Sequence, residues 1–453
     1  MSKQLSCVVD KLHPDRMRLF LSAPDDADAT FDFFGNFIQL RRLVSRDKPR
    51  VHRWFKDDSV FVSGGQDAID ARTDKASIVH EATHFLDSTT TMWGFEYHSR
   101  KAQVLRQLAD GTDAGPAFDV FMLNTSEIDV HSALIEKHRV ARLSECKMMH
   151  VVRQHPSYGP IIIVQFHDDA GVVQAVPLSM LAVLEASAYA NEILSRITDC
   201  QLLSDPDERS VSLHEVERDY KSYLDNQDRV EYTLITHLVE RSLKVDLSLE
   251  QRMRLLARLA RAALDIGVFE MSMFATGIAD TFINRSAGAA VTMDMRRGSN
   301  RAVVLFKSII ALDGMLASSA EKERADFLAD VQCHPHKLIE IITGEVFSRE
   351  SGLYQTELKA MTDGLSTDVG LADHLIVPSS LQHNRPILEA STCADAFRRL
   401  AIIDPIMADD TSLDLPNRLP IEISKLMNER IHTLIALEQV YKSTAHSKFF
   451  IAY

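Results

Sequence analysis

Hydrophobic positions recur along this chain with two different periods, which divide it unevenly. In the first part, short β-like runs are interleaved with helical ones. Ser59-Val60-Phe61-Val62-Ser63, closing on Gly64-Gly65, reads as a strand and turn. Thr73 or Asp74 then offers an N-cap, and the spacing predicts a helix over about 75–87. Between about 101 and 150 the pattern is mostly helical. The runs Ile161 to Phe166 and Val172 to Val176, joined through Asp168-Asp169-Ala170-Gly171, predict a β-hairpin over about 160–176. After Pro177 the apolar run Met180 to Ile197, with Ser179 as cap, predicts a strong helix over about 179–197.

From about 212 to 345 the spacing is helical throughout, as in Tyr232 to Leu243 and Leu247 to Leu264. Ala302 to Ala317 contains Lys307 and Asp313, is too short to span a bilayer, and reads as a buried helix. A polar stretch over 349–385 interrupts the pattern, and a final helix is expected from about Pro420 to Tyr441. The expected fold class is α+β: a mixed α/β part over 1–205, followed by a mainly α-helical domain over 206–453.

Composition narrows the function classes without choosing one. The chain has 453 residues, 45% hydrophobic and 25% charged, which excludes disorder, collagen-like repeats and a small disulfide scaffold. Its net charge of −14 makes it a poor general binder of nucleic acid or of an anionic membrane. Cys7, Cys146, Cys200, Cys333 and Cys393 never form C-x-x-C, which fits a reducing compartment. Asp10, Lys11, Asp15 and Arg16 break up the N-terminus, so no signal peptide is expected and the expected location is the cytoplasm. Arg252, Arg254, Arg258 and Arg261 read as a solvated helix surface, and the basic loop Met295 to Arg301 as local charge balance. Cys333-His334-Pro335-His336 fits a turn better than a metal site, and no phosphate-cradling glycine loop or G-x-S-x-G elbow is present.

Among 18 histidines, two stand in a pattern with chemistry attached: His80-Glu81-Ala82-Thr83-His84 is H-E-x-x-H. On a helix, i and i+4 spacing puts both imidazoles on one face, able to close on a single Zn²⁺. Glu81 lies about 100° further round, beside the metal, where a carboxylate can act as general base. Ile78, Val79, Phe85 and Leu86 make the helix look buried, and buried imidazoles and carboxylates need partners.

A third protein ligand has two sources. Glu185 is a lone carboxylate in the apolar helix Leu181 to Tyr189, whose small residues permit close approach to the motif helix. Glu96, in Trp93-Gly94-Phe95-Glu96-Tyr97-His98, is the alternative. Thr90 stands where a metzincin would carry its third ligand, so that arrangement is rejected. Asp87 shares the ligand face and is a candidate to orient an imidazole, while Tyr97, His98 and Tyr189 are candidates to stabilise an oxyanion.

With H-E-x-x-H on one helix and a glutamate on a later one, residues 59–200 resemble the gluzincin type of zinc metallopeptidase. The resemblance implies a zincin-like first part, His80, His84 and Glu185 as ligands of Zn²⁺, Glu81 as general base, and a peptide or protein substrate. It also implies a strand beside the metal on which an extended peptide can add, and the hairpin at 160–176 is the candidate. Two departures from the better-known gluzincins are the long interval from His84 to Glu185, and Tyr189 one turn after Glu185 where some families have an acid. The rival readings are a hydrolase of a non-peptide amide or ester, a binding or regulatory protein that keeps the fold without turnover, and a helical interaction protein in which the motif arises by chance.

Overall fold

Two helices rich in small residues pack along one another, and most of the molecule is arranged around that pair. The computed structural model describes residues 28–431 apart from 34, 110–133, 156–158, 244–246, 299, 346–351, 367–372 and 429–430. The fold is α+β and mostly helical, with two small sheets. Strands β1 (Ala29–Asp32) and β2 (Phe37–Leu40) form an antiparallel pair. Asp32 Oδ1 accepts the Gly35 amide at 2.7 Å in the turn between them, which also uses the positive φ of Asn36. Helices α1 (Lys48–Lys56), α2 (Gln66–Thr90) and α3 (Met92–Ala109) follow. The second sheet comprises β3 (Glu136–Lys137), β4 (Lys147–His155), β5 (Gly159–Asp168) and β6 (Gly171–Pro177), all antiparallel in the order β3-β6-β5-β4.

Helix α4 (Met180–Gln201) starts where Ser179 accepts the Ala182 amide at 3.3 Å, as its sequence predicts. Then come α5 (Pro206–Leu224), α6 (Val230–Ser242), α7 (Leu249–Leu264), α8 (Val268–Ile278), α9 (Arg285–Met295) and α10 (Arg301–Ser318). Helices α11 (Glu321–Cys333), α12 (His336–Thr343), α13 (Leu353–Ser366), α14 (Asp373–Ala390) and α15 (Cys393–Ala396) precede β7 (Ile406–Met407). Among the described residues no single helix is long and apolar enough to cross a membrane.

Several local expectations change. The segment 59–63 is not a strand: Asp57 accepts the Ser59 amide and starts a 3-10 helix, Asp58–Phe61, which buries Phe61 and leaves Val62 exposed. Helix α2 starts at Gln66, well before 75. Gly65, in extended conformation, is its N-cap, and Thr73 and Ser77 bond back to the carbonyls of Ile69 and Thr73 as interior helix residues do. Asp74, instead of capping, pairs with Arg50. Glu136–Lys137 and the start of Lys147–His155 are strands within the stretch expected to be mostly helical, and the polar stretch 349–385 carries α13 and most of α14. The N-terminal segment 1–27 and most of the helix expected over 420–441 lie outside the described residues.

The boundary expected near 205 falls at the turn between α4 and α5, yet the core runs through it. One cluster of buried side chains extends from Ala29 to Leu426. Strand β7 returns to pair parallel with β2, matching Gln39 with Ile406 and Leu40 with Met407. Phe397 stacks on Trp54, His52 Nε2 bonds the Leu413 carbonyl at 2.8 Å, and Thr89 bonds Ser380 at 2.7 Å. The first sheet is therefore completed by residues that the sequence places in the helical part.

Arg258 corrects the reading of its arginine series as solvated surface. It is 6% exposed, and its guanidinium donates to the carbonyls of Gln332, Cys333, Leu388, Glu389 and Ser391. Those carbonyls belong to the ends of α11 and α14 and the turn after α14, where helices leave acceptors unsatisfied. Arg254, by contrast, pairs with Glu250 and Asp395 at the surface. Arg258→Met is expected to lower unfolding stability by about 3–5 kcal/mol, the cost of stranding several buried acceptors at once. Arg254→Ala should cost under about 1 kcal/mol. Urea unfolding of both variants checks the contrast, and equal losses would refute it.

Candidate metal centre

Helix α2 carries His80, Glu81 and His84, and α4 crosses it closely because the facing positions are small. Ala82, Thr83, Ala186, Ser187 and Ala190 are all buried. This approach brings Glu185 to the imidazoles. Its two oxygens lie 3.6 Å from His80 Nε2 and 3.6 Å from His84 Nε2. Those separations are too long for hydrogen bonds. They are close to the roughly 3.4 Å between donor atoms that share one tetrahedral ion at about 2.0–2.2 Å. One ligand atom from each of the three residues lies within 4.8 Å of the others, a group able to hold a metal ion. Two neutral imidazoles and one carboxylate also form the donor set that leaves a fourth position open.

Glu192, two turns after Glu185 on α4, bonds His80 Nδ1 at 3.0 Å. A carboxylate there favours a proton on Nδ1, so the proton that a metal ion would displace is the one on Nε2, the atom facing Glu185. Sequence reasoning did not single Glu192 out, although its spacing from Glu185 places the two on one helix face. Burial works against a charged His80, but Glu185 and Glu192 outweigh it and raise its pKa well above the ordinary value. Burial pushes His84 down to about 4 against the pull of Glu185, so this imidazole stays neutral. Burial also raises Glu185, but His80 and His84 bring it below the usual carboxylate range.

Glu81 is buried beside these groups. Desolvation, reinforced by Glu185 and Glu192, lifts its pKa to about 7, with His80 and the backbone amide of Phe31 acting in the opposite direction. That amide belongs to β1, an edge strand of the first sheet, which packs against α2. Phe33, just past β1, sets its ring 5.7 Å from that of His84. The hairpin forms as expected, but β5 and β6 pack on α9 and α6. Of the two, β1 rather than the hairpin is the strand beside the motif helix, a long-range placement with no local sequence signal.

The remaining candidates disperse. Glu96 forms a two-pronged pair with Arg301, at 2.6 and 2.7 Å, and both are largely buried. The basic loop before α10 thus ends in an internal ion pair. Asp87 faces Arg261 at 3.6 Å and Ser187 rather than an imidazole, and burial raises it to about 6. Among the described residues, no group bonds His84 Nδ1. Tyr189 lies between the rings of Tyr220 and Tyr223, close enough to Glu192 that burial and this carboxylate together push its phenol well up. His98 is fully buried on α3 against Tyr97, whose hydroxyl donates to the Phe33 carbonyl. Neither His98 nor Tyr97 belongs to the ligand group.

Three substitutions separate these roles. Glu185→Gln should abolish stoichiometric binding of Zn²⁺, and Glu192→Gln should weaken it by about 10–100-fold. Glu96→Gln should leave affinity unchanged while lowering stability, since it strands the Arg301 guanidinium. Competition against a chromogenic chelator measures the affinities, and loss of metal only in Glu96→Gln would overturn the assignment. No family model, no curated protein and no solved structure matches the chain.

Proposed function

We propose that the chain is a zinc-dependent metallopeptidase. The observation that supports this most is the meeting of Glu185 with His80 and His84, far apart in sequence, beside a buried Glu81. His80, His84 and Glu185 would hold the ion. When bound, Zn²⁺ supplies a Lewis acid that polarises a carbonyl and acidifies water.

The other tasks fall to the chain's own groups. Glu81, raised toward neutrality, accepts a proton from the attacking water and returns it to the leaving amide nitrogen. The Phe31 amide holds the Glu81 carboxylate in place for both transfers. Glu192 keeps the His80 ring from turning and fixes which nitrogen carries the proton. Substrate reaches the site from the side where His80, Glu185 and Glu192 keep 18%, 15% and 25% of their side chains exposed. An extended peptide arriving there runs against β1, which takes the part expected of the hairpin.

Glu81→Gln should retain stoichiometric Zn²⁺ and lose peptide cleavage by at least about 10²-fold, the range for removing a general base. Mass spectrometry of a proteome digest incubated with wild type and variant reads the outcome. The same fragments at the same rate from both proteins would sink the reading, as would wild-type protein that binds no zinc.

A further inference from the structure

A cleft of about 540 Å³ lies apart from the metal ligands, among α5, α6, α7 and the 3-10 turn Leu143–Glu145. Its size is that of a small-molecule site. On one wall the Tyr220 hydroxyl donates to Glu240 Oε1 at 2.6 Å, and the same oxygen lies 2.8 Å from Arg252 Nε. Glu240 and Arg252 thus form an ion pair along that wall.

Arg142 pairs with Glu145 at 3.3 Å, while the remaining charges in the cleft are not paired in this way. Among the described residues, Lys221 and Arg241 have no carboxylate within ion-pair distance, and Glu217 and Asp225 have no cation. Arg241 makes a long bond, 3.4 Å, to the Leu143 carbonyl, and Asp225 accepts the Ser144 amide at 2.9 Å. Both act electrostatically on the buried ring of His237, so a cation and an anion share one region of the lining without bonding each other. Leu224 and Leu249 add buried apolar surface.

Each simpler ligand class meets an obstacle here. Phosphate would gain from Arg241 and Lys221 but face Asp225 and Glu217 uncompensated. A plain amine would meet the reverse problem. A ligand carrying both charges and an apolar side chain answers all three features together. We propose that this cleft binds a small zwitterion, an α-amino acid with an apolar side chain. Arg241 and Lys221 take its carboxylate, Asp225 and Glu217 its ammonium group, and Leu224 and Leu249 its side chain.

The site is independent of the proposed hydrolysis, and the test keeps the two apart. Isothermal titration of the full chain uses L-leucine as probe, with N-acetyl-leucine, leucinamide and inorganic phosphate as controls. One saturable site is expected for leucine, weakened about tenfold or more by blocking either terminus. Arg241→Ala and the exposed Lys221→Ala should weaken it likewise, the latter with little risk to folding. Binding should survive chelator treatment and His80→Ala. The proposal fails if blocked analogues or phosphate bind as tightly as leucine, or if His80→Ala abolishes binding and so places leucine at the metal centre. It also fails if no saturable heat appears up to about 10 mM leucine.

Discussion

The close crossing of α2 and α4 concentrates more ionisable groups in one buried space than that space can hold fully charged. His80, Glu81, His84, Glu185 and Glu192 lie within electrostatic reach of one another. Desolvation penalises each charge, so the groups divide it unequally: Glu185 and His80 move toward their charged forms, Glu81 and His84 toward their neutral ones. That division follows from the helix crossing. Without small residues at Ala82, Ala186 and Ala190, Glu185 would stand further away, and nothing would offset the cost of burying it.

The same rule organises the joints around the helix pair. Lys75 on α2 reaches Asp199 on α4 at 2.5 Å, both buried, so the pair is pinned beyond the site as well. Arg301 binds Glu96 and also the Ile266 carbonyl, joining α3, α10 and the turn before α8. Arg385 binds Asp265 at 3.0 Å, tying α14 to the end of α7. Polar groups that cost free energy when buried alone are placed where two or three elements meet. The acidic surface charge of the chain says little about these interior contacts.

How much of this was legible in the sequence depended on distance along the chain. The imidazole pair was readable because i, i+4 spacing is a local property of a helix. Glu185 was readable as a polar intruder in an apolar run, and Glu192 could have been found by continuing the same face two turns on. Glu96 stood as the alternative ligand by sequence, but Arg301, a remote residue, occupies it. Arg258 shares its helical period with surface arginines, and only the ends of α11 and α14 reveal that it is buried. In α14, Pro378 and Pro386 together with a polar composition masked a helix that tertiary packing sustains.

The two motif histidines, identical in the sequence pattern, are held by different means, and that difference orients the site. His80 is partly exposed and steered by a carboxylate on Nδ1. His84 is buried, and Phe33 packs against its ring. A ring fixed by packing tolerates little displacement, whereas one held by a hydrogen bond near the surface can adjust. Glu192, one quarter of whose side chain is exposed, stands on the His80 side and the Phe33 ring on the His84 side. The more adaptable imidazole therefore lies toward the partly exposed side and the more rigid one backs onto the core. Strand β1 links the two sides, because its Phe31 amide binds Glu81 and the residue just beyond it, Phe33, packs on His84. A displacement of β1 would thus disturb Glu81 and His84 together while leaving His80 and Glu192 in place.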